Sequence, residues 1–303
     1  MEIDVPLVLA RWLHFASLMI VFGASLFPLY ALPPSLGGEA TPALAKADRY
    51  VRPASYLALA SAIAWVALSL TTMTGDPASL ADRDTLVAFF TQTSFGPVWL
   101  LRLALLIVLA VVVVAWSKHN PTGRRLAQAC LAGASLASQA WLGHAAMATG
   151  AKLGSELVAY VTHVVAASAW IGGLLPLGYV LAHARRLPGD DCARACHAIL
   201  VRYSGIAMIA VALVIASGIA NSVFRLQSAN DLVATAYGIT ILGKALLLAC
   251  ALAAASFNRW WLMPRIERGS TGAVDALRRN IVIEQVLLTL VVGAASVLGT
   301  LPP

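Results

Sequence analysis

The sequence predicts an all-α polytopic membrane protein of eight transmembrane helices with both termini outside the cytoplasm. Three observations carry this prediction. Apolar residues fill 60% of the 303 positions and charged residues only 12%, with a mean hydropathy of +0.81, far from the averages of soluble domains. The apolar residues fall in eight stretches of about 20 residues or more, the length that crosses a hydrocarbon core, and little chain remains for a soluble domain. Finally, Lys and Arg collect in alternate connections. Fourteen follow the first, third, fifth and seventh stretches, Lys46, Arg124, Arg185 and Arg265 among them, while Arg83, Lys152 and Arg225 alone follow the second, fourth and sixth. Basic residues mark the cytoplasmic side. The net charge of +7 is therefore a topology signal and not a nucleic-acid surface, and the partner it implies is the lipid bilayer.

The first segment covers 5–32 and encloses Arg11 and His14, with Pro33-Pro34 and Gly37-Gly38 ending it. The acidic start Met1-Glu2-Ile3-Asp4 lacks the basic n-region of a signal peptide, so this segment is expected to stay. The second segment is expected to begin after Pro53 and reach Met73. A polar loop then leads through an interfacial stretch, 85–90, to Pro97, which opens the third segment, 97–116. The fourth runs from Arg124-Arg125 to Met147, and the fifth covers 155–183, with Gly172-Gly173 and Pro176 as the expected bend. The remaining three cover 198–221, 235–257 and 277–301.

Topology assigns each intramembrane histidine a depth. At 1.5 Å per residue, His14 lies roughly 13 Å, His163 roughly 12 Å and His144 roughly 6 Å below the outer ends of their helices. Met147 stands one turn from His144 on the same face, and Met73 marks the outer end of the second segment. Three imidazoles and two thioethers in one leaflet form a copper-favouring ligand set, nitrogen serving both oxidation states and sulfur favouring Cu(I). A lone intramembrane histidine or methionine is commonly a packing residue, so the shared depth of three histidines, and not any single one, is the signal.

Several stretches carry a resemblance. Arg11-Trp12-Leu13-His14-Phe15, Gly23-Ala24-Ser25-Leu26-Phe27, Trp141-Leu142-Gly143-His144, and His163 followed by Ala169-Trp170-Ile171-Gly172-Gly173-Leu174 resemble the CopD family of copper-resistance membrane proteins. So do Ser217-Gly218-Ile219-Ala220-Asn221, Thr235-Ala236-Tyr237-Gly238 with Lys244, and Asn258-Arg259 ahead of Pro264-Arg265. The resemblance covers the whole chain as one membrane domain, 1–190 carrying the histidine motifs and 191–303 the CopD-type C-terminal helices. It implies an inner-membrane protein of copper homeostasis that moves copper inward. A periplasmic copper-binding protein of the CopC type is then expected as a separate chain, because no such β domain is fused here.

Other polar residues admit a different chemistry. Arg11, Arg102 and Lys244 lie in outer halves of their segments, where cations oppose a metal. They are expected to snorkel or to pair with Glu156, Asp231 or backbone carbonyls. Alternatively they receive the propionates of a b-type haem held by the same histidines, which would make the protein an electron carrier. On the cytoplasmic side Cys192 and Cys196 stand at i, i+4 beside His197, a candidate Cu(I) release site if the stretch is helical, though two cysteines on an amphipathic linker carry no such role by themselves. Glu284 is expected to meet a cytoplasmic arginine. No Walker, P-type phosphorylation or hydrolytic motif is present, which argues against an enzyme.

Overall fold

The computed structural model describes residues 4–33, 41–116, 120–142, 150–185 and 189–302, which form helices and turns with no strand among them. Helix α1 (Val5–Ala31) opens where the Asp4 carboxylate accepts from the Leu7 amide at 3.0 Å. It closes at Leu32, which the following Pro33 pushes into the extended region at φ −82°, ψ 127°. Helix α2 (Thr41–Thr74) starts well before the expected boundary and carries Pro53 in its interior. The reason lies in the stripe of Ala43, Leu44, Ala47 and Val51, at spacings of one, three and four, which is buried. That burial outweighs the roughly 3 kcal/mol that an interior proline costs.

The interfacial stretch is helix α3 (Arg83–Gln92), opened by the Asp82 side chain on the Thr85 amide, and α4 spans Gly96–Ala115. Helix α5 (Pro121–Ala137) is opened by Asn120 and Pro121 and tightens into a 3₁₀ turn at Ser138–Trp141. Then follow α6 (Gly150–Ala184), α7 (Gly189–Arg225), the single turn α8 (Asp231–Ala234) and α9 (Ala236–Phe257). Helix α9 passes through a wide π turn, Asn258–Leu262, into α10 (Met263–Glu267), and α11 (Ala273–Leu298) ends the bundle.

Seven helices among the described residues are long and apolar enough to cross a membrane. The predicted fourth segment is α5, whose 17 residues fall short of a span by themselves and which packs against α1 and α4. Arg124 and Arg125 at its start reach Asp48 of α2 at 2.9 and 3.0 Å, while Ser135 and Ser138 near its end meet Arg102 of α4. The basic connections gather at one end: Arg185 pairs with Asp275, and Arg202 donates to the Tyr30 carbonyl.

Helix α1 sits at the centre against α2, α5, α6, α7 and α11. Its closest approach is to α6 at Gly23 and Gly172, where a Cβ on either residue would strike the backbone of the other helix. Gly172, in the stretch where a bend is expected, lets these backbones touch, and α6 is continuous helix through Gly173 and Pro176. The most apolar stretch of α6 is mostly buried in protein, whereas that of α9 faces outward along most of its surface.

Candidate functional site

His14 is fully buried between α1, α2 and α4. Its Nδ1 lies 2.9 Å from the Ala58 carbonyl, which can only accept, so Nδ1 carries the proton and Nε2 is left as an acceptor. That acceptor faces the Arg102 guanidinium at 2.7 Å. Arg102, also fully buried, donates further to the Ser135 carbonyl at 2.9 Å and the Ser138 hydroxyl at 3.0 Å. The walls are aromatic. Trp65 stands edge-on to His14 and to Trp99, and Arg102 lies 5.2 Å from the Trp99 ring centre. Arg11, one turn from His14, stacks 4.5 Å from the Trp65 ring centre and rests against Gly299, where α11 ends. There the partial negative charge of the helix C-terminus supplies its counter-charge.

His163 turns the other way. Its Nδ1 lies 3.1 Å from both the Val214 carbonyl and the Ser217 hydroxyl of α7. Both histidines stand nine residues before their helix's crossing glycine, Gly23 or Gly172, and α1 and α6 run in the same direction. The two imidazoles therefore share a depth, as the sequence indicates, but they occupy opposite flanks of the α1–α6 pair. Tyr160 of α6 lies within electrostatic range of Arg11, Arg102 and Arg225, and Lys244 within range of His163.

The other candidates are dispersed. Met73 is exposed at the C-terminal end of α2, about 22 Å along the helix from Ala58. His144 and Met147 lie outside the described residues. Arg102 finds a backbone carbonyl as expected, but the expected carboxylates do not serve the cations: Glu156 is 3.8 Å from Lys152, and Asp231 accepts from the Gln227 and Ser228 amides. Hydrogen bonds from Ser228 hold the Asp231 carboxyl below the usual carboxylate range, as those from Thr85 do for Asp82. Among the described residues no three of His, Cys, Asp or Glu converge to hold a metal.

At the basic end, Cys192 to His197 is helical as the release site requires. Cys196 is buried in the core, while His197 lines an open groove of about 410 Å³ with Glu267, 3.8 Å away, and Arg268. The Cys192 side chain lies outside the described residues. Glu284 is also placed differently from expectation. Its buried carboxylate accepts from Trp170 Nε1 at 2.8 Å and Asn258 Nδ2 at 3.0 Å, with no arginine in ion-pair contact among the described residues. Sequence reading missed Trp65, Trp99 and Tyr160 as partners of the cations, because tryptophan and tyrosine in apolar segments do not declare which helix they face.

Residues 1–155 match the family model "Copper resistance protein D-like, N-terminal domain", and 197–298 match "Copper resistance protein D". The chain belongs to the copper resistance protein D family. Copper resistance protein D of Pseudomonas syringae pv. tomato is 28% identical over 306 residues, covering 98% of this chain and 97% of that protein. Inner membrane protein YebZ of Escherichia coli (strain K12) is 28% identical over 97% of both chains. Copper transport protein CutJ of Bacillus subtilis (strain 168) is 30% identical over 156 residues, half of this chain and 28% of that protein. No solved structure gives a significant match. With its apolar helices and these relatives, this family member is a multi-pass protein of the inner membrane.

Proposed function

We propose that this protein is a non-enzymatic copper carrier of the inner membrane, which receives copper on the extracytoplasmic side and passes it toward the cytoplasm. The observation that carries the reading is the fully buried imidazole of His14 and the half-buried one of His163 at one depth, in a member of a family named for copper resistance. Copper is the cargo. His14, His144 and His163 supply nitrogen, and Met147 and Met73 add thioether sulfur nearer the outer surface. Cys192, Cys196 and His197 receive the ion at the basic end, which the loop charges assign to the cytoplasm. Residues 1–190 carry the histidines and 191–303 complete the same membrane domain, while delivery falls to a separate periplasmic protein of the CopC type.

His14 becomes a ligand only when Arg102 leaves its Nε2, because the donor and a metal compete for one lone pair. Arg102 then acts as a gate that keeps the outer nitrogen closed at rest. The same geometry argues against haem, since two axial imidazoles must present Nε2 to one iron, whereas these lie on opposite flanks and one already accepts from a guanidinium.

The test is copper stoichiometry per folded protein, with an absorbance spectrum, for His14→Ala, His144→Ala, His163→Ala and the triple variant. With His14 and His163 on opposite flanks, each imidazole holds copper in its own step, so every single variant should lose part of the copper and the triple variant should lose more than any single one. Full copper binding in all three single variants, or a Soret band in the purified protein, would overturn the proposal.

A further inference from the structure

The inner half of the bundle holds a second polar system that copper binding does not use. Glu284 of α11 is 3% exposed and lies between Trp170 of α6, Asn258 at the start of the π turn, and Tyr203 of α7, whose hydroxyl donates to the Trp170 carbonyl at 2.8 Å. Tyr203 is the titratable group that faces it, and no charged group does so among the described residues. From Glu284 a line of amides runs toward the basic end. Asn280 Nδ2 donates to Asn258 Oδ1 at 2.7 Å and to the Ala254 carbonyl at 2.8 Å, and Asn258 in turn donates to Glu284. Both groups that hydrogen-bond the carboxylate, Trp170 and Asn258, donate to it, and Asn280 holds Asn258 in that orientation, so the arrangement suits the ionised form. A lone carboxyl at membrane depth with neutral partners is the arrangement found in proton relays, and single π turns cluster at functional positions.

We propose that Glu284 is a proton-binding site served from the basic end of the bundle, and that its proton is read by the Asn280–Asn258 amide line at the π turn of α9. The step is the protonation of a carboxylate: one O–H bond forms at Glu284, the proton comes from water at the cytoplasmic end, and no electron moves. Once protonated, that oxygen must donate. Asn258 has to rotate its amide to accept, its Nδ2 then faces Asn280, and the pair cannot keep both the Asn280 donation and the Ala254 contact. The proton therefore changes how α11 holds α9 where the helix widens. Proton binding would couple to copper movement, and that part rests on the transport reading above.

The test separates the two. Infrared pH-difference spectra of the full chain in detergent should show a carboxylic-acid carbonyl band that is lost in Glu284→Gln, which keeps an acceptor for Trp170. In Glu284→Asp, a second variant that retains a carboxyl, the band should shift in frequency and persist. In Asn280→Ala the band should remain with a displaced pH midpoint. A band absent at every pH, or retained in Glu284→Gln, would overturn the proton site whatever the protein does with copper. An unmoved midpoint in Asn280→Ala would sever the amide line from the proton. With the band assigned, copper uptake into vesicles should depend on an imposed pH gradient in the native protein and lose that dependence in Glu284→Gln. Copper uptake insensitive to the gradient in both would refute the coupling and leave the carrier reading intact.

Discussion

Replacing Arg102 with methionine should lower stability and raise copper retention, two effects of opposite sign from one substitution. The side chain makes three interhelical hydrogen bonds, to His14, Ser135 and Ser138. At about 0.6 kcal/mol per such bond in membranes their loss amounts to about 2 kcal/mol, rising toward 4 kcal/mol because the donor is charged. Methionine fills much of the volume, so little cavity cost is added. For copper the balance reverses. A cation on His14 Nε2 and a guanidinium about 4 Å away repel by about 4 kcal/mol at an effective dielectric near 20, close to a thousandfold in affinity. Arg102→Met removes both this repulsion and the competing donor. The assay is Cu(I) retained per folded protein against a competing chelator, read beside the thermal midpoint in detergent. The gain should vanish when His14→Ala is added. A folded Arg102→Met protein that retains less copper, or the same amount, would refute the idea that Arg102 closes this nitrogen.

Gly172→Ala should cost about 1–3 kcal/mol, because its new methyl meets the Met19 carbonyl of α1. Gly178→Ala, with nothing within 4 Å, should leave the thermal midpoint unchanged or slightly raised, and equal shifts in the two variants would remove the α1–α6 contact from the account. The Asp231 carboxyl is held below its ordinary range by Ser228, so the turn it caps is stable above the unfolded carboxylate value and loosens as pH falls through the lower folded value. Hydrogen exchange at the Gln227 and Ser228 amides, corrected for intrinsic rates, should speed up in that acid window and be fast at neutral pH in Asp231→Ala; a pH-independent native rate would contradict this. A reporter active only in the cytoplasm, fused after Pro303, should be silent if both termini face outward, and strong activity would invert every depth used above.

Depth was legible in the sequence and direction was not. Segment ends and loop charges put His14 and His163 at one level because helical rise is nearly constant. Which flank each faces depends on the crossing of α1 and α6 at Gly23 and Gly172, a contact between residues far apart in the chain that no local period reports. Pro53 shows the same limit on a smaller scale: a proline reads as a boundary, yet the buried stripe before it holds the helix. The cations at 11 and 102 stood out by composition, but their partners are a carbonyl, an imidazole nitrogen, ring faces and a helix end, none of which a search for opposite charges finds. Glu284 was visible for the same reason and misassigned for the same reason.

The contact between Arg11 and Gly299 also sets an order of assembly. Arg11 enters the bilayer with α1, while the helix end that neutralises it is made only with α11. At about 5–20 residues per second the interval is tens of seconds. During it α1 carries an arginine worth about 2.5 kcal/mol or more against insertion, eased by Trp65 of the following helix. Closure of the bundle then waits for α11, whose docking on α1 ends the waiting state.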